Sequence, residues 1–152
     1  MQKPLRSVLT ASLLLLSFAA TAQEKGAWQA ASNTAQSITG DISFSPDKLS
    51  INYVRFPIAL IRSLEKSEIA ATFDADSDAP GTGSLYRLNV PATQKFLRKN
   101  SLCGGDDTHW MVTFASGKTL QVAFFSSQKV PTLTREAISN STDLCGTFTY
   151  VK

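Results

Sequence analysis

The chain has 152 residues, enough for one domain with a substantial core and too few for two domains of ordinary size. Its 15 Lys and Arg exceed 12 Asp and Glu, but Lys3 and Arg6 sit in an N-terminal leader, and beyond it 13 basic residues face 12 acidic ones. That near-balance argues against the sustained basic face, interleaved with aromatics, that a nucleic-acid partner needs.

The leader pairs those two basic residues with a run from Leu9 to Ala20 that is apolar apart from Thr10, Ser12 and Ser17. Ala20-Thr21-Ala22 then reads as a small-residue cleavage signal. Residues 1–22 are therefore expected to be a cleaved secretory signal peptide, and residues 23–152 a single β-rich domain in the periplasm or outside the cell. The apolar run is short for an anchor, no second one follows, and no cysteine stands at the cleavage point for a lipid, so no membrane span is expected in the mature chain.

Gly26-Ala27-Trp28 is the first distinctive feature after the leader. A Gly-x-Trp at the start of a first strand is similar to the opening of the lipocalin barrels, and that resemblance implies a cavity for a small apolar ligand. A Trp buried as core at a strand start accounts for the same residues. From Ser37 to Phe44, Ile38, Gly40, Ile42 and Phe44 alternate with Thr39, Asp41 and Ser43, which predicts a half-buried strand. Ser45-Pro46-Asp47-Lys48 reads as a turn, after which Leu49, Ile51 and Tyr53 resume the alternation and complete a hairpin. Residues 57–64 fit either a helix with Pro57 in its first turn or a strand, and the period of two favours the strand. Ile69 to Phe73 is a further strand candidate.

Asp74, Asp76 and Asp78 stand at alternate positions, which resembles the start of a calcium loop, since Ca²⁺ takes converging oxygen ligands from a tight turn. Ala79 stands where such a loop wants Gly and Leu85 where it wants a bidentate Glu, so a solvated acidic loop is the expected outcome. Ser84 to Val90 alternates as a strand, and Ala92 to Lys99 is expected to be a short helix with Lys95, Arg98 and Lys99 on one side.

Cys103 and Cys145, each in a Leu-Cys-Gly triplet, are the two cysteines of the chain. In an oxidising compartment such a pair reads as a disulfide, and closing its loop stabilises the fold by about 4 kcal/mol in the chain-entropy model. A redox pair would favour Cys-x-x-Cys spacing, and zinc would have to recruit His109 and a carboxylate. His109 is the one histidine, close behind Asp106 and Asp107, so histidine-dependent hydrolysis would have to use it. No Gly-x-Ser-x-Gly elbow accompanies it.

The clearest hairpin follows: Trp110, Val112 and Phe114 alternate with Met111, Thr113 and Ala115, Ser116-Gly117 turns, and Leu120, Val122 and Phe124 alternate with Thr119, Gln121, Ala123 and Phe125. After a polar stretch with a short helical turn at Thr134 to Ser139, Gly146 to Val151 is the last strand, with Phe148 and Tyr150 inward. The sum is an all-β fold of seven or eight strands, a small antiparallel barrel or sandwich with one short helix.

Trp28, Ser37-Ile38-Thr39-Gly40-Asp41-Ile42, Leu85-Tyr86-Arg87, Asn100-Ser101-Leu102-Cys103-Gly104 and Leu144-Cys145-Gly146-Thr147-Phe148 together resemble a group of small exported proteins of Gram-negative bacteria. The resemblance implies a periplasmic or secreted setting and carries over no activity. The expected function is a monomeric, non-enzymatic binding or accessory module, inhibitor-like, acting on a protein or envelope component without a cofactor. A lipocalin-like carrier and a hydrolase built on His109 are the alternatives.

Overall fold

A computed structural model describes residues 24–152, so the expected signal peptide lies outside the described residues. Eight strands run in chain order: β1 (Gly26–Ala30), β2 (Ile42–Ser45), β3 (Lys48–Ile51), β4 (Val54–Ser63), β5 (Thr82–Val90), β6 (Thr108–Ser116), β7 (Thr119–Phe125) and β8 (Leu144–Val151). Each pairs antiparallel with the next, and β8 returns to β1, which closes the barrel. The all-β expectation therefore resolves to the barrel. Three helices are added: α1 (Asn33–Ile38), α2 (Lys66–Phe73) and α3 (Arg135–Ser139).

An eight-stranded barrel is just wide enough for side chains to fill, and this one is filled. Trp28, Leu49, Ile51, Met111, Leu120, Val122, Phe124, Phe148 and Tyr150 are at most 1% exposed inside it. Phe124 and Phe148 meet edge to face at 5.3 Å. Ala35, Phe96 and Leu102 belong to the same cluster, contributed by α1 and the β5–β6 connection. The inward positions of β8 are those expected, Phe148 and Tyr150.

The β6–β7 hairpin is apolar on both faces because both are covered. Met111 faces Phe124 and Ala115 faces Leu120 inside the barrel. Outside it, Trp110, Val112, Ala123 and Phe125 form a second core with Leu85 and Leu133, against which Phe73 of α2 and Ile138 of α3 pack. Strands buried on both sides read as near-continuous apolar runs. Among the described residues nothing comparable covers the outer faces of β1, β2 and β3, and Ala27, Gln29, Ser45 and Lys48 stay exposed there.

Four local expectations are corrected. Ser37–Phe44 is not one strand: Ser32 caps α1 by accepting from Ala35 N at 3.2 Å, and Gly40 turns the chain at φ +62° before β2 begins. Ile69–Phe73 is helical, within α2, whose start is a capping box between Glu65 and Glu68. The Arg62 fork donates to both Glu68 oxygens, at 2.7 and 2.8 Å, and holds that carboxyl below its usual range. Ile69 packs so close to Gly83 that a Cβ there would come within 2.8 Å of it. Ala92–Lys99 is not a helix: only Leu97–Lys99 make a turn, with Arg98 and Lys99 left-handed at φ 52° and 61°. Phe96 is pulled inward against Phe56 instead, ring centres 5.9 Å apart. Finally, β3 ends at Ile51, and Tyr53 stands in the β3–β4 turn facing solvent. The segment of residues 57–64 takes the favoured strand conformation as far as Ser63.

Cys103 and Cys145 are bonded, tying the connection before β6 to β8 across 42 positions. Because β8 is the strand that closes the barrel, the bond shortens the search for the longest-range pairing. The Cys103→Ser/Cys145→Ser protein is expected to melt several degrees lower, by up to about 4 kcal/mol of lost stability; equal melting temperatures in calorimetry would show that the bond contributes nothing.

Candidate functional site

The candidates read from the sequence fare differently once placed. His109 is the second residue of β6 and is buried at 7% exposure, with its Nε2 at 2.8 Å from the Gln128 amide nitrogen. Its Nδ1 is buried with no partner among the described residues. Asp106 and Asp107 are exposed, and an Asp107 oxygen accepts from Ala92 N at 2.8 Å. The serines in the same open cleft bond the backbone: Ser127 Oγ accepts from Lys129 N in a local turn, and Ser126 Oγ donates to Asp143 O, 17 positions away. Among the described residues no carboxylate or hydroxyl therefore bonds the imidazole, and the geometry of a triad is not assembled. Both thiols are spent in the disulfide, which leaves no thiolate for zinc.

The aspartates of the acidic loop do not converge. Asp74 ends α2 in left-handed conformation and meets Arg135 at 3.3 Å, while Asp76 accepts from Asp78 N at 3.0 Å in a local turn. Among the described residues no three Asp, Glu, His or Cys side chains are placed to share an ion. Lys95, Arg98 and Lys99 share no helix face, since no helix forms there.

Two features stand out that the sequence did not announce. On the uncovered side, Ala27, Ser43, Ser50 and Arg55 lie in one cross-strand row through β1, β2, β3 and β4. Small side chains leave a groove of about 540 Å³, bordered by Asp41, Tyr53 and Leu97. Tyr53 is 100% exposed. It follows Asn52 in a two-residue hairpin turn with φ of 47° and 69°, the type I′ pattern. Asn suits such a position, whereas a left-handed Tyr costs about 1–2 kcal/mol. A bulky aromatic held in that conformation and wholly in water is an arrangement that folding alone does not favour.

The second feature is Glu24, at the barrel end opposite that turn. It is 1% exposed and reaches inside the barrel, where Thr113 Oγ donates to its Oε1 at 2.7 Å. The Trp28 indole donates to its backbone oxygen at 2.7 Å and so fixes the segment that enters the barrel. Tyr86 lies beside it, and its phenol is pushed up to about 12, by burial first and then by the charge of Glu24. Tyr150, at the other end, donates to or accepts from Thr39 Oγ at 2.8 Å, and burial raises its phenol too. In the sequence Glu24 is only a polar residue following the leader, and nothing in its neighbourhood signals burial.

No protein-family model, curated protein or solved structure matches the chain.

A tyrosine whose folded pKa lies above its unfolded value of about 10 holds its proton longer when folded, so stability falls as pH rises from about 10 towards 12. In an ultraviolet titration, Tyr86 and Tyr150 are expected to remain phenols in the native protein at about pH 11 while their denatured counterparts ionise. Tyr86→Phe should flatten part of the alkaline loss of stability, and an unchanged slope would contradict the assignment.

Proposed function

We propose that this protein is a non-enzymatic exported module that binds a protein or envelope component through the outer surface of β1–β4, in the manner of an inhibitor or accessory factor. The observation that carries the reading is Tyr53, fully exposed on a rigid two-residue turn at the border of the groove. Tyrosine supplies a large amphipathic contact with few rotatable bonds, and a pre-formed turn reduces the ordering cost of association. Arg55 and Asp41 give the groove polar groups of both signs for orientation.

The barrel's own filling favours an external site. Its centre is packed with side chains, and the pocket at its entry end, about 180 Å³, is smaller than the roughly 300–1,000 Å³ typical of ligand cavities. A lipocalin-like carrier of a sizeable apolar ligand therefore gains no support. The Cys103–Cys145 bond accords with a periplasmic or secreted location, where disulfides persist.

Site-specific crosslinking tests the reading. A photoreactive phenylalanine analogue at position 53 is expected to yield a discrete adduct in the protein's own export compartment, while the same group at position 118, an exposed turn at the opposite barrel end, yields none. Equal labelling from both positions, or none from position 53, would defeat the proposal.

A further inference from the structure

We infer that the entry end of the barrel is a binding site for a small primary ammonium ion, with Glu24 as its counter-charge. The inference does not depend on the groove beside Tyr53, which lies at the other end of the barrel.

Glu24 is the starting point. One carboxylate oxygen takes the Thr113 hydroxyl, while Oε2 is buried and has no partner among the described residues. A buried acceptor of this kind is costly to leave unmade, more so when charged. No Lys or Arg among the described residues comes within 4.0 Å of it. Of the lysines at this end, Lys25 borders the pocket without pairing with Glu24, and Lys152 is engaged elsewhere: its Nζ donates to Lys25 O at 2.7 Å and lies 4.2 Å from the centre of the Trp28 ring.

Glu24 also lines a pocket of about 180 Å³, together with Phe44, Pro46, Leu60 and Tyr86. By the share of volume that water takes in the liquid, this is room for about six waters or one compact organic molecule. Its walls are apolar apart from Glu24, Tyr86, Ser45 and the neighbouring Lys25. Leu60, 56% exposed, forms an open apolar lip where β4 shifts register against β5.

That combination selects a ligand class. An anion would meet the buried carboxylate, and a neutral apolar molecule would leave Oε2 unmade. An ammonium group brings three donors and a positive charge, enough for Oε2 and the Tyr86 hydroxyl together. The attached short hydrocarbon would lie against Phe44, Pro46 and Leu60. Tyr86 remains a phenol at physiological pH, so it adds no second negative charge and keeps an oxygen able to accept.

Calorimetric titration of the purified chain with n-butylammonium, and with butanol as the neutral probe of similar shape, tests the inference. Saturable binding of the ammonium in the millimolar range, and none of the alcohol, is expected. Glu24→Gln should weaken binding at least about ten-fold. Because that change touches a buried group, Leu60→Trp, at an exposed position, serves as the second variant: it fills the mouth, leaves the carboxylate intact, and should also weaken binding. No saturable heat with butylammonium, equal affinity for butanol, or full binding by folded Glu24→Gln would each overturn the site.

Discussion

The structure depends on one narrow seam, the pairing of β1 with β8. Only Gln29 with Val151 and Ala30 with Tyr150 are in register there, whereas β7 pairs with β6 along its whole length. The seam is reinforced from both sides. Ala31 N and Ser32 N both donate to Thr149 O, and Thr149 N donates back to Ser32 Oγ at 3.1 Å. Lys152 clasps Lys25 O and sits over the Trp28 ring. Ser32 therefore caps α1 and stitches the barrel with the same oxygen. Without this closure β1 and β8 would be open edges, each offering unpaired backbone groups to other chains.

Closure also explains the division of labour around the barrel. The disulfide fixes β8 at its start and the seam fixes it at its end, so β5–β8 form the rigid half. That half is packed on both faces, under α2, α3 and Leu133. The opposite half is built from the short β1, β2 and β3 and the first part of β4, with small outward residues at Ala27, Ser43 and Ser50, and it carries the groove and the exposed Tyr53. The strained turn on that side is held by the barrel rather than by its own contacts.

How much of this is legible in the sequence follows from where each residue finds its partner. The β2–β3 turn at Pro46-Asp47, the β6–β7 hairpin and the cysteine pair are readable because composition and spacing carry their own signals. The stretch from Ser37 to Phe44 alternates like a strand, yet α1 takes its first part: Thr39 is fixed by Tyr150, 111 positions away, and Ser32 by Thr149. The start of α2 is hidden because Glu65 rather than Ser or Thr occupies the cap, and its apolar residues pack on an outer sheet face that strand periodicity does not reveal. Tyr53 continues the alternation of Leu49 and Ile51, so only the turn's backbone shows that it points away. Glu24 is illegible for a simpler reason, since its burial is decided by Trp28 and Thr113 together.

The barrel's interior is taken up by its own side chains. Methyl-resolved nuclear magnetic resonance tests it most directly, by following Leu49, Ile51, Met111, Leu120 and Val122 while a long-chain apolar carrier ligand such as dodecanoate is titrated. These buried methyls are predicted to stay in place as the ligand is added. Saturable shifts across them would mean instead that the interior opens to admit a ligand.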